Sequence, residues 1–303
     1  MSKRPETLLD GLCFPEGPRW RPACGEPASG TGAQRAEGER GRQLGKLWFS
    51  DMHAGQVMTV DLDGRAETIV EVAGEPSGLG WLPDGRLLVV SMQDRRLLRL
   101  DPGGLTEVAD LTPFASYHCN DMVVDGRGRA YVGNFGFDFH ARAEMKLANL
   151  ALVHPDGRAQ LAASELLFPN GMVITPDGRT LVVGESFATR LTAFEIAGDG
   201  TLAKRRVWAQ LDKAVPDGIC LDAEGAIWVA SPVGHEVLRV REGGAVVQRI
   251  AVATRPIACM LGGPERRTLF LCTAKSFDPP ETRAERAGRI EVVEVEVPGA
   301  GWP

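Results

Sequence analysis

Residues 120–134, NDMVVDGRGRAYVGN, and residues 170–186, NGMVITPDGRTLVVGES, carry the reading that decides the fold. Each is a short apolar run, a turn built on Asp-Gly, and a second apolar run closing on small or polar residues. Asp and Gly tolerate the backbone that a tight hairpin needs, and the flanking runs supply two strands. The pattern recurs as SGLGWLPDGRLLVVS at 77–91 and DGICLDAEGAIWVAS at 217–231, and more weakly as ACMLGGPERRTLFLCTA at 258–274 and EGPRW…GKLWFSD across 16–51. Most copies are followed by a second hairpin with its own turn, such as RLLRLDPGGLTEVA or LALVHPDGRAQLA. Six copies start near positions 16, 77, 120, 170, 217 and 258. Four strands per copy, at a period of roughly 40–60 residues, predict an all-β, six-bladed β-propeller of four-stranded antiparallel blades. Residues 1–303 are expected to form that one domain, with few helices, because no long 3.6-period apolar stripe appears.

Two irregularities stand out. The sixth copy shows only three strands, ending in RIEVVEVEV at 289–297, so the N-terminal segment around Glu6–Asp10 is expected to supply the missing outer strand and close the ring. The first copy carries an insertion, Arg21–Gly45, rich in Gly, Arg and Glu and poor in large apolar residues, which reads as a mobile surface loop without assigned function.

Composition narrows the class. A hydrophobic fraction of 44% and a charged fraction of 24% are those of an ordinary globular protein. The net charge of −6 is spread along the chain, which argues against a nucleic-acid surface. The opening MSKRPETLLDGLCF has no apolar signal region, and no apolar run approaches the roughly 20 residues that cross a bilayer. The six cysteines, Cys13, Cys24, Cys119, Cys220, Cys259 and Cys272, include no C-x-x-C pair. They read as small buried residues of a protein in a reducing, cytoplasmic compartment.

The first strand of each propeller blade lines the central channel, so the residues that open the six copies converge on the axis. The openers are Glu16, Ser77, Asn120, Asn170, Asp217 and a position near Ala258. Asn or Asp before Gly is often only a turn residue. At equivalent repeat positions, however, Glu16, Asn120, Asn170 and Asp217 form an oxygen-only set with charge near −2. That set suits one divalent cation, Ca²⁺ first, with Zn²⁺, Mn²⁺ or Fe²⁺ as alternatives. The absence of His and Cys from it argues against a tight zinc site.

At these residues the sequence resembles the senescence-marker-protein/gluconolactonase family, which includes regucalcin-type lactonases, bacterial aldonolactonases and, more distantly, diisopropylfluorophosphatase. The resemblance runs from FPEGPRW to the last blade and is carried by EGP at 16–18, CND at 119–121, PNG at 169–171 and PDG at 216–218. It implies that Glu16, Asn170 and Asp217 are metal ligands and that Asn120 is a fourth ligand or a substrate contact. It also implies that Asp217 acts as general base, or as nucleophile in the phosphotriesterase branch. Sugar-lactonase members often carry Arg two residues before the Asn-Asp pair, and here that place is His118. A polyol substrate is therefore in doubt.

The expected activity is metal-dependent hydrolysis of a small lactone or related ester. A cation polarises the carbonyl while a carboxylate, Asp217 first and Asp121 second, takes a proton from water. The rival readings are a phosphotriesterase on the same ligands and a non-catalytic metal-binding propeller. The partner is a small-molecule substrate, not nucleic acid or membrane; monomer and dimer both stay open. His118 could donate to substrate. The connections Phe135–Ala148 and Ala274–Ala287 should rise on the substrate face, where Phe135 and Phe137, with Phe139, form an apolar lid or tuck onto their own blade. Met52, Met92, Ser186 and Ser231 end other second strands and are rim candidates.

Overall fold

A computed structural model describes residues 4–22 and 45–301. Most of the 21–45 insertion lies outside the described residues. The chain folds into six four-stranded antiparallel sheets arranged as the blades of a propeller. The first strands of blades one to six are Pro15–Arg21, Pro76–Trp81, Cys119–Val124, Pro169–Ile174, Ile219–Leu221 and Arg255–Gly262. Each blade runs outward in chain order, as short Asp-Gly and Gly-Gly connections require. The sixth sheet is the exception. Its inner three strands come from the C-terminal end, and its outer strand is Glu6–Leu12, paired with Gly288–Glu294 in the register Glu6↔Val292 and Leu12↔Gly288. The ring is closed by the N-terminal strand, which supplies the fourth strand of the sixth blade.

Apolar burial joins neighbouring blades rather than filling one central core. One cluster runs between blades two and three through Leu88, Val90, Met122 and Val132. Another unites blades five, six and one around Trp228, Phe270 and Phe49. The strands alternate toward these inter-blade seams, so the period-2 pattern of each hairpin is what glues one blade to the next.

The second strands of blades one to five end on a polar residue at the channel end, Asp51, Ser91, Asn134, Glu185 and Ser231, and that of blade six carries Thr273 just before its last residue. Three of them stitch the connections above the channel. Asp51 accepts the Cys13 and Phe14 amides at 3.0 and 2.7 Å, Asn134 accepts the Gly136 amide at 3.0 Å, and Glu185 accepts the Leu167 amide at 2.8 Å. The helix Pro279–Glu285 lies in the blade-six connection and packs over the turn Met52–Ala54 of blade one.

Candidate active site

The strand pairing aligns the openers. Pro15, Pro76, Cys119, Pro169 and Pro256 each pair with the terminal residue of a second strand, or with Thr273 next to it, and Pro216 precedes the fifth opener. One residue further on stand Glu16, Ser77, Asn120, Asn170, Asp217 and Ile257. The sixth opener is thus Ile257, not Ala258, because a register shift lies between Pro256 and Ala258. Asp217 sits just before its strand, which begins at Ile219. After the openers come Gly17, Gly78, Asp121, Gly171, Gly218 and Ala258. The small residues there are forced by crowding between blades. A Cβ on Gly78 would stand 2.3 Å from the Met122 nitrogen, and one on Gly218 would stand 2.3 Å from the Ala258 Cβ. Blade three alone puts a charged group, Asp121, at this level.

Hydrogen bonds tie the ring together. The Ser77 hydroxyl donates to Glu16 Oε1 at 2.6 Å, and the Ser50 hydroxyl donates to the Ser77 carbonyl at 2.6 Å. The Asn120 amide donates to the Pro169 carbonyl at 3.3 Å. The Asn170 amide donates to Ser186 Oγ at 3.2 Å, and Ser186 donates onward to the Pro216 carbonyl at 2.7 Å. Each amide spends its Nδ2 on its neighbour, which leaves Oδ1 as its acceptor end.

The electrostatics are unusual. Glu16, Asp121 and Asp217 are all buried. Burial pushes the Glu16 carboxyl up to about 7, with the Ser77 hydrogen bond and Arg19 opposing and Asp121 adding. Burial likewise raises Asp217 well above the usual carboxylate range, aided by repulsion from Glu16 and then Asp121, against a hydrogen bond from Asn170. Arg19, fifth residue of the same channel strand as Glu16, reaches across blade two. It donates to the Leu79 carbonyl at 3.0 Å, to the Met122 carbonyl at 2.5 Å and to Asp121 Oδ1 at 2.7 Å. The Arg19 guanidinium makes its ion pair with Asp121, while burial favours the neutral forms of Glu16 and Asp217. Among the described residues, no three His, Cys, Asp or Glu side chains are grouped to hold a metal. The residues that could hold a metal are the mixed set Glu16, Asn120, Asn170 and Asp217, two carboxylates and two amides.

His118 is half-buried, its ring stacked on Tyr117 at 4.1 Å and 6.2 Å from that of Phe135. Its Nδ1 is buried without a partner, and burial lowers its pKa, so the ring is neutral at pH 7. Phe135 and Phe137 are buried, in one cluster with the opener Ile257, Met52 and Met92. Sequence reasoning missed Arg19, whose signal is a cation inside the channel strand Pro15–Arg21. It also missed Phe14, Phe168 and Phe277, which the same cluster recruits from three other connections. A groove of about 440 Å³, lined by Arg127, Arg129 and Arg158, lies among the turns of blades three and four, away from the openers.

A six-bladed propeller with an oxygen-lined, negatively charged channel mouth defines a class of proteins. Residues 14–275 match the family model described as SMP-30/Gluconolactonase/LRE-like region, and the chain belongs to that family. It is 27% identical over 266 residues to a 6-deoxy-6-sulfogluconolactonase from Pseudomonas putida, covering 85% of this chain and 89% of that one. It is 24% identical over 264 residues to a pentonolactonase from Haloferax volcanii, covering 84% and 88% respectively. The solved structure of a calcium-binding protein, regucalcin, from Agrobacterium tumefaciens superposes with a TM-score of 0.77 at 22% identity, covering 100% of this chain and 97% of that one. No helix among the described residues is long and apolar enough to cross a membrane.

Proposed function

We propose that the chain is a metal-dependent hydrolase of small lactones, with one divalent ion, Ca²⁺ first, held by Glu16, Asn120, Asn170 and Asp217. The observation that carries this is the pair of buried, mutually repelling carboxylates Glu16 and Asp217, set beside two amides, while Arg19 is paired with Asp121. The lactonase names of the relatives from Pseudomonas putida and Haloferax volcanii support the reaction, and the calcium-binding name of the structural neighbour supports the ion.

Glu16, Asn120, Asn170 and Asp217 would hold a divalent cation, which would supply the charge that keeps both carboxylates ionised and the polarisation of the lactone carbonyl. Asp217 takes the proton of a water molecule as its oxygen attacks the carbonyl carbon. The ring C–O bond then breaks, and the proton returns to the leaving alkoxide, giving a hydroxy acid. Asn170 orients Asp217 through their hydrogen bond, and Ser77 does the same for Glu16. Arg19 holds Asp121, so Asp121 serves as a fixed charge below the site and Asp217 as the base. His118, neutral and stacked on Tyr117, is placed to meet substrate at the rim. Among the described residues five cysteines are buried and free, with the Cys220 thiol donating to Cys259 Sγ at 3.8 Å, which supports a reducing, cytoplasmic setting.

The deciding experiment assays lactones, aryl esters and phosphotriesters with and without chelator. Chelator-sensitive lactone hydrolysis that Ca²⁺ restores is expected. Turnover of phosphotriesters alone, or of nothing, would replace this reading with one of its rivals.

A further inference from the structure

Directly on the opener ring sits an apolar layer of Phe14, Met52, Met92, Phe135, Phe168 and Ile257, with Phe137 and Ala274. Its members come from blades one, two, three and six and from the connection entering blade four, so it spans the channel mouth. Ile257 belongs to both this layer and the opener ring, which places the two in contact.

Two connections cover the layer from opposite sides. The 135–147 segment of blade three brings Phe139, and the blade-six connection brings Phe277. These rings meet edge to face, 6.2 Å apart with an interplanar angle of 83°. Blades three and six face each other in a ring of six, so this contact bridges the mouth. On one side Phe277 continues to Phe14 at 6.0 Å, and on the other Phe139 continues to Phe168 at 5.9 Å. The blade-six half is fastened down. Arg283 pairs with Glu75 and donates to the His53 carbonyl at 2.8 Å, while His53 Nδ1 and the Thr282 hydroxyl share a hydrogen bond of 2.6 Å. The blade-three half is tied mainly to itself: the Asp138 side chain accepts the Ala141 amide, its carbonyl accepts the Ala143 amide, and residues 140–147 are exposed throughout.

We propose that this aromatic roof is the specificity surface of the site and that it selects a lactone bearing an alkyl or aryl substituent, which lodges its tail between Phe135, Phe168 and the Phe139–Phe277 contact. The inference deepens the lactonase reading and rests on it. A tail in this layer replaces water with rings, the favourable direction for apolar surface. The hydroxyls of a polyol would instead be stripped of water against phenyl faces, and an unmatched buried hydroxyl is costly. The carbonyl end of either substrate would reach the same openers, so the roof changes the choice of substrate without changing the chemistry.

The test compares a γ-lactone carrying a hexyl chain with gluconolactone, using wild-type protein, Phe139→Ala, Phe277→Ala and the conservative Phe139→Leu, each with Ca²⁺ and each checked by its melting temperature. Wild-type protein is expected to favour the alkyl lactone in kcat/KM by tenfold or more. The two alanine variants should lose at least fivefold on the alkyl lactone, chiefly through KM, with gluconolactone turnover unchanged or raised, and Phe139→Leu should recover most of the loss. Equal or better turnover of gluconolactone by wild-type protein would overturn the inference while leaving the lactonase reading intact. So would an equal loss on both substrates in variants that melt normally. Hydrolysis of neither lactone class by wild-type protein would overturn both.

Discussion

Arg19 Nη2 lies 2.7 Å from Asp121 Oδ1, an ion pair buried at both ends that links the first strands of blades one and three across the intervening strand of blade two. The bridge works because Gly78 and Gly80 of blade two leave it room: a Cβ on either would meet blade three at 2.3 Å. It also partitions the charge of the channel. Asp121 is neutralised locally, whereas Glu16 and Asp217 are left to repel each other.

Removing one end of this pair should be costlier than removing both. Arg19→Met leaves Asp121 buried and unpaired, and a destabilisation of about 3–5 kcal/mol is expected. The double variant Arg19→Met, Asp121→Leu should recover much of it. Thermal or denaturant unfolding of the four proteins gives the coupling directly. Strictly additive losses would mean that the pair does not hold the ring.

The unmatched carboxylates predict opposite effects of pH and metal. The Glu16 carboxyl, pushed up to about 7, binds its proton more tightly when folded than when unfolded. Its stabilising contribution is therefore full below its ordinary value of 4.5 and is lost as pH rises through about 7. Asp217 shifts in the same direction. Chelated protein should lose stability on the order of 3 kcal/mol between pH 5 and pH 8. Ca²⁺ should raise the melting temperature more at pH 8 than at pH 5, because it must displace protons from its ligands. A Ca²⁺ shift independent of pH would contradict the ligand assignment.

Asp217→Asn keeps an oxygen at the position but removes both the base and a repulsive charge. Turnover should fall by about 10²–10⁴-fold. In the same protein, chelated and at pH 8, the melting temperature should rise above that of the unmodified chain. Near-normal turnover would move the base to another residue.

Gly78→Ala tests the crowding at the ring. Its added methyl would press on the Met122 backbone nitrogen, which cannot swing aside as a side-chain tip could. A loss of about 1–3 kcal/mol is expected, read as a melting temperature lower by several degrees. An unchanged melting temperature would show that the blades can separate freely at this level.

Blade number, strand order and the closing N-terminal strand were legible because each hairpin is encoded locally, by turn residues and period-2 apolar runs that recur in the chain. The oxygen-bearing openers were legible for the same reason: repetition aligns Glu16, Asn120, Asn170 and Asp217 before any coordinates exist. Where the repeat degenerates, the sixth opener was legible only as a position near Ala258, and the register shift in its strand places it at Ile257. Tertiary structure alone decided what meets across the axis. Arg19 finds Asp121 at a separation of 102 residues, and Phe139 meets Phe277 from the opposite blade. Such contacts depend on the curvature of the closed ring and on the reach of single side chains. Neither leaves a periodic trace in the sequence, because a contact made once has no second copy to align with.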